Sequence, residues 1–139
     1  MAVTNDTRAC SYKALEKAPL CVARRSVPGA QNRIVLSYPN FQVLSPSSGY
    51  PDLGSIEVAY TAAHQLVEQE SLDAYMAAFR DVTAYGEDTV NRIFRDLENL
   101  IHPIALQVVG EFSSDGDIDL RIVVDSDDNP QQGKIEEIS

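Results

Sequence analysis

The sequence has little cysteine, little positive charge and no long apolar run, and each shortage excludes a class of protein. Its 2 cysteines, Cys10 and Cys21, have neither CxxC spacing nor a neighbouring histidine cluster, so neither a metal site nor a disulfide scaffold is predicted. No apolar stretch approaches the length that spans a bilayer, and residues 1–13 are polar, unlike an export signal. We therefore expect a soluble cytoplasmic protein without a metal.

Positive charge is scarce and unevenly placed. The formal net charge is −10, with 11 Lys and Arg against 21 Asp and Glu. Six basic and two acidic residues lie at or before Arg33, and five basic and nineteen acidic residues follow it. Because binding to a nucleic-acid backbone depends on clustered lysine and arginine, the acidic body argues against direct binding to nucleic acid.

The chain is long and apolar enough for one domain, since 44% of its 139 residues are hydrophobic. Residues 1–31 combine mixed charge with prolines and have only a short helical pattern at Ala14–Ala18, which predicts an irregular N-terminal arm. Residues 126–139 are acidic and poor in apolar side chains, which predicts a flexible tail. The folded domain is expected at 32–125.

Two hydrophobic periods divide this domain. Period-two alternation predicts half-buried antiparallel strands in its first and last thirds. The alternating residues are Ile34, Leu36, Tyr38, Phe41, Val43, Ile56, Val58 and Tyr60, then Leu106, Val108, Ile118, Leu120, Ile122 and Val124. Turn residues at 46–51 and at 113–116 separate the strands of each pair.

Helical spacing marks the centre of the domain. One helix is predicted near 71–81 with Ser71 as its cap. A second is predicted with Glu87 and Asp88 in its first turn and Pro103 at its end. The order ββααββ predicts an α+β domain with two helices on one face of an antiparallel four-stranded sheet. Since the other face and the sheet edges need cover, an oligomer is expected.

Two segments resemble the active-site signatures of the QueF nitrile reductases. Ser45-Pro-Ser-Ser-Gly-Tyr-Pro-Asp52 is similar to the family's Cys-Pro and Gly-x-Pro-Asp pattern, and Tyr85-Gly-Glu87 resembles its His-Glu pair. Matching positions extend from about Asn32 to Val124. The resemblance implies a tunnelling-fold (T-fold) unit, whose subunits join edge to edge into an oligomeric barrel with active sites at the interfaces.

The resemblance also implies roles for single residues. Ser45 occupies the position of the cysteine that attacks the nitrile carbon of 7-cyano-7-deazaguanine (preQ0), and Asp52 that of the proton donor. Glu87 matches the carboxylate that accepts from the ring N–H and amine of the base. The remaining pocket positions correspond to Val67, Glu68, Gln69 and Gly86. From the residues alone, Glu87 is also explained as a helix first-turn acid and Asp52 as a turn aspartate.

The sequence departs from the family pattern at its reactive positions. A serine hydroxyl needs a neighbouring base to become a nucleophile, and Gly86 stands where the family has histidine. The family's reductases carry lysines suited to the phosphates of NADPH, and Glu70 and Asp73 replace them here. Sulfur from Cys10 or Cys21 is an alternative nucleophile.

Three functions are compatible with these residues. The first is the family's reaction, NADPH-dependent reduction of the nitrile to 7-aminomethyl-7-deazaguanine in queuosine- or archaeosine-type tRNA modification. The second is a binding protein or partner subunit that keeps the pocket for the 7-deazapurine base without turnover. The third is a relative with amidine-forming chemistry that uses no nicotinamide.

Overall fold

The architecture is that of a computed structural model, which describes residues 11–24, 32–113 and 118–127. Its strands are β1 (Val22–Arg24), β2 (Arg33–Leu44), β3 (Pro51–Thr61), β4 (Gln65–Val67), β5 (Ala105–Ser113) and β6 (Asp119–Asp125). Its α-helices are α1 (Gln69–Ala78) and α2 (Gly86–Ile101), and short 3₁₀ helices span Lys13–Lys17 and Phe79–Asp81.

The main sheet is antiparallel with the order β2-β3-β5-β6. Its register pairs Tyr38 with Ile56, Ile56 with Gly110, and Gly110 with Ile122. The pairing of β2 with β3 shifts between Tyr38 and Phe41, around Pro39. A proline lacks the N–H that a ladder needs, and β2 tolerates it because it is an edge strand of this sheet.

One face of the sheet is apolar and carries both helices. Alternate residues of all four strands point to this face, as expected for a period of two. They form one buried cluster with the apolar stripes of α1 and α2. Its large members with almost no exposed surface include Tyr60, Phe41, Phe79, Ile56, Met76, Ile93, Leu97 and Leu106. The predicted α+β arrangement, with two helices on an antiparallel sheet, is confirmed.

The second helix has the predicted bounds. Glu87 and Asp88 lie in its first turn, where the helix dipole favours anions. It ends at Ile101, one residue before His102 adopts a left-handed conformation with φ 44° and donates its backbone N–H to the carbonyl oxygen of Glu98. Among the described helices, none has both the length and the apolar character needed to cross a membrane.

The predicted cap of the first helix is wrong. Helix α1 begins at Gln69, and the extended residue before it is Glu68. Ser71 therefore lies inside the first turn, where its hydroxyl bonds to backbone groups of Glu68 and Cys21. The helix begins before its apolar stripe because strand β4 ends at Val67, which leaves Glu68 as the only residue between the strand and the helix.

The number of strands differs from the prediction. In addition to the four strands of the main sheet, β1 and β4 form a two-stranded antiparallel sheet, with Val22 opposite Val67. Strands of three residues have too few alternating positions to be recognised from periodicity. The described part of the predicted arm, 11–24, thus contributes a strand and a 3₁₀ helix. Residues 114–116 of the predicted turn and most of the acidic tail lie outside the described residues, while Ser113 ends β5.

A polar network fixes the segment around Tyr12 to the two helices. The Tyr75 hydroxyl donates to Asp96 Oδ2 at 2.6 Å, and Arg92 Nε donates to the same oxygen at 2.9 Å. The Arg92 guanidinium lies 4.6 Å from the centre of the Tyr12 ring. Burial, reinforced by the bond to Asp96, raises the pKa of Tyr75, so its hydroxyl remains a donor.

Gly54 is required by the close approach of β3 to β5. A Cβ atom at position 54 would lie 2.0 Å from the backbone oxygen of Glu111 and 2.9 Å from Cδ1 of Phe112. We expect Gly54→Ala to lower the free energy of unfolding by about 2 to 3 kcal/mol, because the strands must separate to admit the methyl group. Urea titration followed by circular dichroism measures this loss.

Gly49→Asn is the matched control. Gly49 has φ 78°, a conformation that asparagine tolerates, and a Cβ there meets no atom within 4 Å. Its urea midpoint should fall by less than that of Gly54→Ala, because the positive φ adds a conformational cost but the new side chain meets no atom. Equal losses in the two variants would contradict the packing explanation.

Candidate functional site

Two backbone hydrogen bonds join the two sequence segments that carry the predicted site. The Leu44 N–H donates to the Val82 carbonyl at 2.9 Å, and the Leu44 carbonyl accepts from the Ala84 N–H at 3.0 Å. On its other side, Thr83 exchanges two backbone bonds with Ser11. The loop that begins at Ser45 is therefore held alongside the segment that leads into α2.

Ser45 lies in a tight turn between β2 and β3. Its N–H donates to the Tyr50 carbonyl at 2.9 Å, and its carbonyl accepts from the Gly49 N–H at 2.8 Å. The residue is only 8% exposed. Its hydroxyl is 3.1 Å from the Ser47 hydroxyl and 3.5 Å from the Ser48 nitrogen. Neither partner is a base that removes a proton from a hydroxyl.

Asp52 lies close to Ser45 in the hairpin because Leu44 pairs with Pro51 and Val43 with Asp52. Val43 is fully buried under the helices, so the register places Asp52 on the helix-bearing face, at the end of the core. Burial raises the pKa of the Asp52 carboxyl from its ordinary value of 3.8. A raised pKa is what a carboxyl needs to donate a proton.

Gly86 and Glu87 are the first residues of α2, and Gly86 packs against strands β5 and β6 of the main sheet. A Cβ at position 86 would lie 3.1 Å from two ring carbons of Phe112 and 3.4 Å from Ile122. The helix therefore begins in close contact with β5 and β6. Glu87 is exposed in the first turn, and its carboxylate is available to accept from a ligand with two adjacent donors.

The segment Val67–Gln69 spans the end of β4 and the start of α1. Val67 is 4% exposed, and its N–H donates to the Tyr60 hydroxyl at 3.2 Å. The Glu68 N–H donates to the Cys21 carbonyl at 2.9 Å, while its side chain is exposed. Gln69 borders a small cleft against Tyr38 and Leu36 of β2. The backbone of this segment is thus anchored by β3 and by the residues that lead into β1.

Within one chain, the predicted site residues form two groups. Ser45, Asp52, Gly86 and Glu87 belong to the joined segments around Leu44, whereas Val67–Gln69 lies at the opposite end of α1. The 10 residues of α1 separate the groups by roughly 15 Å at 1.5 Å per residue. A single chain therefore does not bring Glu68 to Asp52 and Glu87.

The predicted cofactor positions lie on α1. Glu70 and Asp73 are both exposed, and Asp73 borders the same cleft as Gln69. Two unit charges 4 Å apart interact by about 1 kcal/mol in water, so acids at these positions oppose a polyphosphate where lysines would attract it. The residues present do not fit the phosphates of a nicotinamide dinucleotide.

A depression of about 800 Å³ lies around Leu53, Ser55 and Arg121 and opens to the sheet face that has no helices. Arg121 and Glu111, which also line it, form an exposed ion pair with Nε and Oε2 3.3 Å apart. None of the seven predicted site residues lines it. We therefore place the candidate site at the joined segments and not in this depression.

The pH dependence of stability tests the environment of Asp52. Because its pKa is higher in the folded state, the group contributes stability below about pH 3.8 that is lost as pH rises through the folded-state pKa. Asp52→Asn does not titrate. Its stability relative to the wild type should therefore be greater at about pH 7 than at about pH 3.5.

Urea midpoints of both proteins at the two pH values measure this difference. Asp81→Asn, which removes an exposed carboxylate at the end of a 3₁₀ helix, reports the general effect of losing one negative charge. A difference for Asp52→Asn that does not change with pH would contradict the burial of this carboxyl.

Known proteins similar to this chain agree with the resemblance of the two segments. The family model described as QueF-like protein matches residues 51–131. The NADPH-dependent 7-cyano-7-deazaguanine reductase of Aquifex aeolicus is 34% identical over 115 residues, which cover 83% of this chain and 89% of the relative. The reductase of the same name from Thermosynechococcus vestitus is 28% identical over 113 residues, covering 81% and 86%.

The fold also has a solved counterpart. A crystal structure of the archaeosine synthase QueF-Like in the apo form superposes with a TM-score of 0.65 over 70% of this chain and 95% of that chain, at 14% identity. This similarity shows a shared fold. Taken with the match of the family model over 51–131 and the 34% identity to the Aquifex aeolicus reductase, it leads to one conclusion. The chain belongs to the QueF-like protein family.

Proposed function

We propose that this protein binds 7-cyano-7-deazaguanine or a related 7-deazapurine and does not reduce its nitrile. The observation that carries the proposal is the pair of backbone bonds at Leu44, which keeps the loop of Ser45 and Asp52 beside the start of α2 and Glu87. The proton-donor position Asp52 and the base-binding position Glu87 thus lie on joined segments, whereas serine and glycine stand at the family's cysteine and histidine positions. The protein acts in the cytoplasm as a binding protein or as a partner subunit.

Recognition of the base depends on Glu87. The guanine-like edge of a 7-deazapurine presents a ring N–H and an amine as adjacent donors, and one carboxylate accepts from both. Glu87 is exposed in the first turn of α2, where the helix dipole supports its negative charge. Its exposure leaves both carboxylate oxygens open to the base.

Covalent capture of the nitrile is not supported by Ser45. A thiolate forms near neutral pH, whereas a hydroxyl must lose its proton to a base as it attacks. The neighbours of the Ser45 hydroxyl are another hydroxyl and a backbone amide. Asp52 remains able to donate a proton, but the bond-forming step before it lacks a nucleophile.

The pocket is proposed to close between copies of the chain. The group around Glu87 and the segment Val67–Gln69 lie at opposite ends of α1, so a second copy must bring its own segment to the first group. The strands β2 and β6 each have one neighbour in the main sheet, which leaves an edge for pairing on either side. Joined edge to edge, such units form the oligomeric barrel of a T-fold.

One observation favours an alternative in which chemistry is retained. Cys21 is exposed, and its carbonyl accepts from the Glu68 N–H, so a thiol lies beside the predicted pocket segment. In an assembled site this thiol is a candidate replacement for the family's cysteine. The alternative functions are then the family's NADPH-dependent reduction or an amidine-forming reaction without nicotinamide.

Calorimetric titration with 7-cyano-7-deazaguanine tests the binding proposal. The wild type should bind, and Glu87→Gln should bind about ten- to a hundredfold more weakly, because an amide nitrogen then faces a donor of the base and a charge-assisted bond is lost. Asp88→Asn is the matched control, since it removes a neighbouring acid from the same helix turn. Equal affinities of the wild type and Glu87→Gln would exclude the role of Glu87.

NADPH consumption tests the absence of reduction. With the nitrile present, the wild type should leave the nicotinamide absorbance unchanged. Ser45→Cys should gain a covalent adduct of the nitrile, visible as added mass, while still consuming no NADPH because Glu70 and Asp73 oppose the cofactor. Consumption by the wild type that is lost in Cys21→Ser would replace this proposal by the alternative with Cys21 as nucleophile.

A further inference from the structure

Ser71 occupies an unusual place for a serine in a helix. Its hydroxyl accepts from the Cys21 N–H at 2.9 Å and lies 2.9 Å from the Glu68 carbonyl, to which it donates. The Cys21 carbonyl, 3.4 Å away, is a weaker second acceptor. One hydroxyl thus connects the first turn of α1 with Cys21, the residue immediately before β1.

Both the N–H and the carbonyl of Glu68 take part in these hydrogen bonds. The Cys21 carbonyl accepts from the Glu68 N–H at 2.9 Å, so residues 21 and 68 are linked directly as well as through Ser71. The Glu68 carbonyl also accepts from the Leu72 N–H at 3.0 Å, which begins the helix. Every backbone hydrogen-bonding group of Glu68 is therefore committed, and its side chain is free to face outward.

A simple capping role does not explain this arrangement. An N-cap serine accepts from backbone N–H groups of its own helix, whereas Ser71 accepts from Cys21, which is 50 residues away in the sequence. The Cys21 N–H is exposed, so water replaces the serine hydroxyl with little loss of stability. What water does not supply is a second fixed link between residues 21 and 68 beside their direct bond.

We infer that Ser71 is a positioning residue, whose hydroxyl sets the place of Glu68 and hence of the segment Val67–Gln69 in the base pocket. The inference rests on the proposed function, because that segment matters only if the base is bound. It predicts a separation of two effects. Loss of the hydroxyl should weaken base binding much more than it weakens the fold.

The test compares four proteins by calorimetric titration with 7-cyano-7-deazaguanine and by thermal unfolding. Ser71→Ala should bind about five- to tenfold more weakly than the wild type, which corresponds to one hydrogen bond. Ser71→Thr keeps the hydroxyl and should restore most of the affinity. Amide hydrogen exchange should become faster at Cys21 in Ser71→Ala and return toward the wild-type rate in Ser71→Thr.

Ser126→Ala is the matched control. The Ser126 hydroxyl also accepts from a backbone N–H, that of Leu106 at 3.2 Å, and it follows β6, the edge strand of the main sheet opposite β2, against which α1 packs. This variant should keep the wild-type affinity whatever its unfolding temperature.

Each outcome decides between the role of Ser71 and the proposed function. If the wild type binds and Ser71→Ala binds equally well, the positioning role is wrong and the proposed function stands. If Ser71→Ala and Ser126→Ala lose affinity equally, the effect of Ser71 is general stability and the role is again wrong. If the wild type does not bind the base, the proposed function fails, and the role of Ser71 fails with it.

Discussion

The site depends on one short contact between backbones, the two hydrogen bonds of Leu44 to Val82 and Ala84. Leu44 ends β2 and Val82 follows the 3₁₀ helix after α1, so this contact closes a loop that contains β3, β4 and α1. Val82 and Ala84 are fully buried, which excludes water from competing for these bonds. Side chains that lie far apart in the sequence thereby acquire neighbouring positions.

Much of the fold was predictable because its long elements repeat their hydrophobic period several times. The stripe from Val90 to Ile101 and the alternation of Ile56, Val58 and Tyr60 each identify one buried face. The shift in the pairing of β2 with β3 is also visible in the sequence. The apolar residues Tyr38 and Phe41 are three positions apart, whereas a regular strand repeats every two, and the shift lies between them.

The remaining features depend on contacts between distant residues that no local pattern records. Strands of three residues, such as β1 and β4, are stabilised by each other, and the role of Ser71 follows from a partner 50 residues away. The resemblance predicts seven site residues, and their division between the two ends of α1 is visible only in the fold. The burial of Asp52 likewise follows from its register with Val43.

The contact of Gly86 with Phe112 has an evolutionary consequence. A side chain at position 86 would begin with a Cβ 3.1 Å from two ring carbons of Phe112, so the ring would have to move by a few tenths of an ångström to admit it. The free-energy cost of replacing Gly86 therefore depends on which residue stands at position 112, and the two positions are epistatic.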